Sequence, residues 1–169
     1  MTLLIQRDIK SVSWQGIEFD CLVGQNGFTQ NKIEGDKKTP IGRFKMTHVY
    51  YRSDIVEKPY TNLPISALTT DMGWSDDIND PHYNQLVKLP HKFSHEKLYR
   101  NDSLYDLFIT TSYNSKPIVP GKGSAIFIHL IGENKLATEG CLALQRNDLL
   151  HIIKTATIGS EWLIGENLA

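Results

Sequence analysis

The sequence predicts a mainly β domain, a barrel or a sandwich, with one or two short helices. Short β-like runs follow one another from the start of the chain, turn-forming residues separate them, and little of the chain shows helical periodicity. The length of 169 residues suits a single domain spanning residues 1–169. At this length about 70% of the unfolded chain's surface can be buried, so neither a disulfide nor a metal is required for stability.

The first three strands are predicted from apolar and β-branched runs. These runs cover residues 3–9, 11–14 and 17–23, with a turn at Gln15 and Gly16 between the last two. Cys21 lies in the third run, where a cysteine most often serves as a small buried hydrophobe.

A loop rich in turn formers, residues 34–44, leads into a predicted strand at 44–51. Alternation with period 2 predicts that every second residue of this strand shares one face. These residues are Phe44, Met46, His48 and Tyr50.

Residues 52–101 form a long excursion that we expect to be irregular. The excursion contains four prolines and the polar run 75–80, and long ordered excursions of this kind are often functional loops or lids. Residues 101–107 are predicted to carry a short helical turn, and residues 108–113 another strand.

The last third of the chain predicts two strands and a helix. The apolar run 125–131 is typical of a strand buried on both faces, and residues 161–165 offer a final short strand. Asn147 or Asp148 is expected to cap a helix over residues 149–156. The residues predicted to face inward from this helix are Leu149, Ile152 and Ile153.

Charge and hydropathy exclude several classes of partner. The net charge is −1, and Lys and Arg are scattered rather than gathered into a stripe, so we expect no nucleic-acid partner. The first apolar run is too short for the roughly 7–15 residues of a secretory signal, and no run approaches the roughly 20 residues of a membrane span. We therefore expect a cytoplasmic protein without a membrane partner; the sequence does not fix its oligomeric state.

One histidine and one cysteine form the leading candidate for chemistry. His129 closes the strand 125–131, and Cys141 follows a short loop later. If the segments 125–131 and 140–144 pair as antiparallel neighbours, residue 129 can face residue 141 with Cβ atoms about 5 Å apart. An imidazole there would lower the pKa of the thiol, and Cys141 would then react with iodoacetamide faster than Cys21.

Three residues beside the cysteine strengthen this hypothesis. Gly140 allows free rotation of the backbone, and its N–H and that of Cys141 can point at a developing oxyanion. Thr138 and Glu139 can hydrogen-bond the imidazole or orient the loop. The residues alone also fit a core histidine and a small buried cysteine without catalytic function.

No metal or cofactor is expected. The cysteines and histidines show neither C-x-x-C nor H-E-x-x-H spacing. His91 and His95 are four residues apart, but Pro90 and the loop character of this segment make it a poor metal site. Acyl transfer by a thiol needs no cofactor.

At this point the residues resemble a known family. His129 followed by Thr138-Glu139-Gly140-Cys141 resembles the catalytic signature of the YkuD-type L,D-transpeptidase domain, and residues 35–44 are similar to its Thr-Pro-x-Gly-x-Phe turn. The resemblance implies a mainly β catalytic domain acting on peptidoglycan stem peptides. It further implies that Cys141 is the nucleophile and His129 its base, oriented by a backbone carbonyl that we place at Leu130.

Two positions depart from the family pattern. Many members carry His directly before the Gly-Cys pair, where this chain has Glu139, and Arg two residues after the cysteine, where it has Ala143. Both departures remove local positive charge, which indicates altered recognition of the acceptor or the stem peptide.

The resemblance implies a thioester intermediate formed as the terminal D-amino acid leaves. The chain resembles the small cytoplasmic L,D-carboxypeptidases of the family, so we expect release of the terminal D-alanine from tetrapeptides of recycled muropeptides. Two alternatives stay open, an L,D-transpeptidase that forms peptidoglycan crosslinks and a non-catalytic domain that binds wall fragments.

The substrate carries several carboxylates, so cations are expected near the nucleophile. Arg43 and Arg52 are candidates because a guanidinium can bind a carboxylate through two hydrogen bonds, although either can be an ordinary surface charge. The other residues that we predict to bind substrate are Trp74, Tyr83, Asn84, Thr138 and Glu139.

Overall fold

The computed structural model describes residues 1–6 and 11–164. Fourteen strands and one helix lie within these ranges. In chain order they are β1 (Thr2–Gln6), β2 (Ser11–Trp14), β3 (Ile17–Leu22), β4 (Phe28–Thr29), β5 (Thr39–Pro40), β6 (Gly42–Tyr51), β7 (Ile65–Ala67), β8 (Met72–Ser75), β9 (Leu86–Lys88), β10 (His95–Lys97), β11 (Leu107–Thr111), β12 (Phe127–Leu130), β13 (Leu142–Leu144), α1 (Arg146–Thr155) and β14 (Glu161–Ile164).

Eight of these strands close into a mixed barrel, which confirms the predicted mainly β fold class. The strand order is β11-β12-β13-β3-β2-β1-β14-β6, and β6 closes the circle by pairing with β11. The β1–β14 and β12–β13 pairs are parallel and the other barrel pairs are antiparallel. The interior is filled by fully buried side chains that include Leu3, Trp14 and Trp162. Cys21 also packs in this core, as predicted.

The single helix among the described residues differs from the prediction at its start. It begins at Arg146 with Gln145 as its N-cap, and no side chain caps it, so the expected cap at Asn147 or Asp148 is wrong. Its inward residues are the predicted ones, Leu149, Ile152 and Ile153. Residues 101–106 form bends and a turn rather than a helical turn.

A β-bulge corrects the predicted face of β6. Thr110 pairs with His48 but Thr111 pairs with Met46, so Thr47 is an extra residue that reverses the alternation. Met46 therefore packs in the barrel core, whereas Tyr50 belongs to a second apolar cluster outside it.

The excursion is more regular than predicted. It contributes β7, which pairs with β6, and the separate three-stranded sheet β10-β8-β9. A second apolar cluster lies outside the barrel core and includes Tyr50, Leu98, Phe108, Phe127 and Cys141. Alternate residues of β12 reach this cluster and the barrel core, which confirms that β12 is buried on both faces.

Two further predictions concern the chain ends and membranes. Residues 7–9 of the first predicted strand and residue 165 of the last lie outside the described residues.

Over the ranges that the structure covers, helices with the length and apolarity needed to cross a bilayer are absent.

Candidate active site

The histidine and the cysteine share one face of the sheet, but not through the predicted register. Strands β12 and β13 are parallel rather than antiparallel, and His129 lies opposite Ala143. Because side chains alternate along a strand, Cys141, two residues before Ala143, points to the same side as His129. The antiparallel register is wrong, and the shared face is retained.

Both side chains line one cavity of about 750 Å³. Such a volume is typical of a small-molecule or short-peptide site. Its walls come from the loop before Cys141 and from the excursion, including Thr138, Glu139, Glu96 and Arg100.

His129 is held in one orientation by its own backbone neighbour. Its Nδ1–H donates to the Leu130 carbonyl oxygen at 2.7 Å, the carbonyl that the resemblance implied. The side chain is 6% exposed, and the ring of Tyr105 meets it edge-on with centroids 5.5 Å apart. Burial lowers the pKa of His129 to about 4, against the hydrogen bond to Leu130, which raises it. At neutral pH the ring is therefore uncharged, and Nε2 is the nitrogen that can accept a proton.

Cys141 is buried and hydrogen-bonded to two backbone groups. Its Sγ–H donates to the Ala125 carbonyl at 3.0 Å, and the Phe127 N–H donates to Sγ at 3.3 Å. Burial raises the pKa of the thiol to about 12, although the Phe127 hydrogen bond lowers it. The resting site therefore holds a neutral thiol beside a neutral imidazole, which corrects the expectation of a thiol with a lowered pKa.

Gly140 is required by both conformation and space. Its φ is +137°, and a Cβ added there would lie 2.9 Å from the Lys38 carbonyl oxygen. Its N–H donates to Thr138 Oγ1 at 3.1 Å, so this N–H is not directed at an oxyanion as expected. The Thr-Pro turn is positioned here as well, because Thr39 Oγ1 accepts from Gly24 N–H at 2.8 Å. The two family motifs thus pack against each other.

Thr138 orients the loop rather than the imidazole. Besides accepting from Gly140, its hydroxyl donates to the Cys141 carbonyl at 2.7 Å. Glu139 lines the cavity rim with its side chain 85% exposed, and it lies 3.6 Å from Lys37 Nζ. Both residues line the cavity, and their contact with substrate stays a prediction.

Trp74, Tyr83 and Asn84 are not among the described residues that line the cavity. Tyr83 is buried and donates to Glu34, and the indole N–H of Trp74 donates to Asn84 Oδ1 at 2.9 Å. Their polar groups are engaged with other residues of the protein, which corrects their expected contact with substrate.

Asn84 has a specific supporting contact. Its Oδ1 also accepts from the Ala125 N–H at 3.0 Å, and its amide donates to the Tyr113 and Asn114 carbonyls. Ala125 has a φ of +50°, a strained conformation for a residue with a side chain. Asn84 thus fixes the backbone whose carbonyl accepts the Cys141 thiol proton.

The two predicted arginines also lie away from the cavity lining that the structure describes. Arg43 pairs with Glu161 of β14 at 2.5 Å on the barrel surface. Arg52 is nearly buried, binds Asp54 through two hydrogen bonds and donates to the Arg100 carbonyl. Both guanidinium groups therefore form ion pairs within the fold, which corrects their expected contact with substrate.

Several cavity residues had no signal in the sequence. Glu96, Arg100 and Tyr105 come from the excursion and its exit, where no spacing pattern links them to the Cys-His pair. Lys32 was also missed; it is buried, pairs with Asp36 and approaches Gly140. Among residues 1–6 and 11–164, no group of three His, Cys, Asp or Glu residues is arranged to hold a metal ion.

Comparisons with known proteins agree with this geometry. The family model of the L,D-transpeptidase catalytic domain, YkuD, matches residues 3–164. No curated protein matches the sequence. The fold is similar to a crystal structure of the helical cell shape determining protein Pgp2 from Campylobacter jejuni, with a TM-score of 0.54 and 18% identity over 99% of this chain and 48% of that one. A mutant of Pgp2 gives a TM-score of 0.53 and 18% identity, over 99% of this chain and 47% of that one.

The chain spans about half the length of these solved structures, and at 18% identity the likeness shows the fold alone. The family match, in contrast, covers nearly the whole sequence and includes both motifs and the Cys-His pair. The chain belongs to the YkuD family of L,D-transpeptidase catalytic domains.

Proposed function

We propose that this protein is a cysteine-dependent L,D-carboxypeptidase that removes the terminal D-alanine from peptidoglycan stem tetrapeptides. One observation carries the proposal. The hydrogen bond from His129 Nδ1 to Leu130 leaves Nε2 as the base, on the face and in the cavity that also hold the Cys141 thiol.

In the first step, His129 accepts the thiol proton as sulfur attacks the carbonyl of the third stem residue. The imidazolium then returns this proton to the amine of the departing D-alanine, and a thioester on Cys141 remains. The buried Lys32 ammonium, which is paired with Asp36, lies behind the cavity lining, and its charge acts to lower the pKa of the Cys141 thiol. We assign it the electrostatic support of the anionic intermediate.

In the second step, water attacks the thioester. His129, neutral again, accepts a proton from this water and gives it to the departing sulfur, which restores the thiol and releases the tripeptide. The cavity of about 750 Å³ has room for the end of a short peptide.

The test is incubation of purified protein with a muropeptide tetrapeptide, with product analysis by mass spectrometry. We expect D-alanine and tripeptide, and no D-alanine from the Cys141→Ala variant. Cys21→Ala is the matched control, because it removes the other cysteine from the barrel core. Crosslinked dimers as the main product would identify a transpeptidase, and binding without turnover would indicate a non-catalytic domain.

We also propose that the enzyme acts in the cytoplasm on soluble muropeptides from wall turnover. Cell fractionation tests the location, and recovery outside the cytoplasm would contradict it.

A further inference from the structure

The segment that leads into β12, residues 121–125, carries the carbonyl to which the Cys141 thiol donates its hydrogen bond. The backbone of this segment is costly to order. Gly123 has a φ of +96° and Ala125 a φ of +50°. Glycine loses more conformational freedom on folding than any other residue, and a left-handed conformation is strained for alanine. Contacts from other parts of the fold must therefore hold this segment in place.

Two consecutive residues of the connection between β8 and β9 hold the segment at alternate positions. The Gly123 N–H donates to the Tyr83 hydroxyl oxygen at 3.0 Å, and the Ala125 N–H donates to Asn84 Oδ1 at 3.0 Å. Tyr83 is 1% exposed, and its hydrogen bond with Gly123 is buried. Removal of the hydroxyl would therefore leave a buried N–H without its acceptor, which is unfavourable.

Tyr83 also joins the segment to the loop that precedes the Thr-Pro turn. Its hydroxyl donates to Glu34 Oε2, and the Glu34 N–H donates to the Gly121 carbonyl at 2.9 Å. Burial, the hydrogen bond to Glu34 and the charge of Glu34 raise the pKa of Tyr83 well above its usual range, so the hydroxyl keeps its proton. The phenolic oxygen is therefore held by one hydrogen bond that it donates and another that it accepts.

We propose that Tyr83 is a positioning residue for Cys141. Through Gly123 it fixes the Ala125 carbonyl, and this carbonyl directs the thiol. The inference rests on the proposed function only for its effect on the reaction rate. A sulfur that points away from the substrate carbonyl reacts more slowly even when the substrate binds equally well.

The first test measures the thiol hydrogen bond in the resting protein. Infrared spectroscopy records the S–H stretching band of Cys141 in a Cys21→Ala background, which leaves one thiol in the chain. A hydrogen bond to a carbonyl lowers the frequency of this band. Tyr83→Phe keeps the ring but removes the hydroxyl, so the band should shift to higher frequency. A band at the parent frequency would overturn the proposal.

The second test separates the rate of the reaction from substrate binding. In Tyr83→Phe, kcat for release of D-alanine should fall by about tenfold while KM changes by less than about twofold. A parent-like kcat, or a rise in KM alone, would contradict a positioning role.

Tyr99→Phe is the matched control. It also removes a tyrosine hydroxyl that donates to a carboxylate, that of Asp54 at 3.1 Å, and Tyr99 is not among the described residues that line the cavity. The S–H band, kcat and KM should keep their parent values. An equal response in Tyr99→Phe and Tyr83→Phe would show a general effect of the lost hydroxyl and would overturn the proposal.

Glu34 provides a second pair of variants, in which Tyr83 itself is unchanged. Glu34→Ala removes the acceptor of the Tyr83 hydroxyl and should shift the S–H band in the same direction as Tyr83→Phe. Glu34→Gln keeps an oxygen that can accept this hydrogen bond and should restore the parent frequency. Equal bands in the two variants would refute the connection through Glu34.

The infrared measurement also separates this inference from the proposed reaction, because it needs no substrate. If the parent protein releases no D-alanine, the proposed function fails, while a shifted S–H band in Tyr83→Phe still supports the positioning of Cys141 by Tyr83.

Discussion

Acidification from pH 7 to pH 4.5 should destabilise this protein through His129. Burial lowers the pKa of the folded imidazole to about 4, whereas an unfolded histidine titrates near 6.5. Between these values the unfolded chain binds a proton that the folded chain does not. The contribution of neutral His129 to the free energy of unfolding is therefore complete above about pH 6.5 and is lost as the pH falls towards 4. Between pH 7 and pH 4.5 this loss is about 2 kcal/mol.

The assay is urea unfolding of the parent and of His129→Gln at both pH values. Other groups titrate in both proteins, so the informative quantity is the difference between their two pH dependences. Glutamine binds no proton in this range, and the free energy of unfolding of the variant should depend less on pH, by about 2 kcal/mol. This holds whatever stability the substitution itself removes.

The same pKa governs activity. Because only the neutral ring of His129 can accept the thiol proton, kcat/KM should stay constant down to about pH 5 and fall below it. Equal pH dependence of unfolding in parent and variant, together with loss of activity near pH 6.5, would refute the argument from burial.

Three substitutions test the architecture around Cys141. Gly140→Ala introduces a Cβ 2.9 Å from a backbone oxygen at φ +137°, so unfolding should require about 2 kcal/mol less and kcat should fall at least about tenfold; parent-like values would contradict the clash. Asn84→Ala removes the hydrogen bond that holds the backbone of Ala125, so kcat should fall by about tenfold while KM changes little. A rise in KM alone would show that Asn84 contacts the substrate, as the sequence predicted. Arg43→Ala removes a half-exposed ion pair, so kcat and KM should not change and the free energy of unfolding should fall by less than about 1 kcal/mol. A raised KM would instead show that Arg43 contacts the substrate.

The strands were predictable because alternation and turn residues mark them locally. The pairing of β12 with β13 was not, because the same apolar runs fit a parallel or an antiparallel register. The parallel register depends on the connection, residues 131–141, which pairs with another part of the chain. The Thr138 N–H donates to the Val23 carbonyl, and Thr138 forms a β-bridge with Gly24. That long-range contact leaves no local pattern in the sequence.

The Cys-His pair was predictable from motif order, whereas the cavity wall was not. Glu96 lies in β10, which pairs with β8, and strands of three or four residues carry too little alternation to be recognised. Arg52 shows the opposite error. Its residue type suggested a substrate contact, but Asp54 two residues later already binds the guanidinium.

The burial of Cys141 and His129 explains why their residue types alone do not predict their protonation states. A cysteine near a histidine suggests an ion pair, yet burial favours the neutral form of each group in this site. In the proposed mechanism, proton transfer therefore accompanies attack on the substrate instead of preceding it. Alkylation of the resting Cys141 by iodoacetamide should accordingly be slow at neutral pH.

The most direct measurement is the intact mass of the protein during turnover of a stem tetrapeptide. Rapid acid quenching should trap a covalent adduct whose mass equals the peptide minus its terminal alanine, and proteolysis should place this adduct on Cys141. Substitution of Cys141 by Ala should abolish both adduct and product. Release of D-alanine by the Cys141→Ala protein at the parent rate would contradict a thioester at this position.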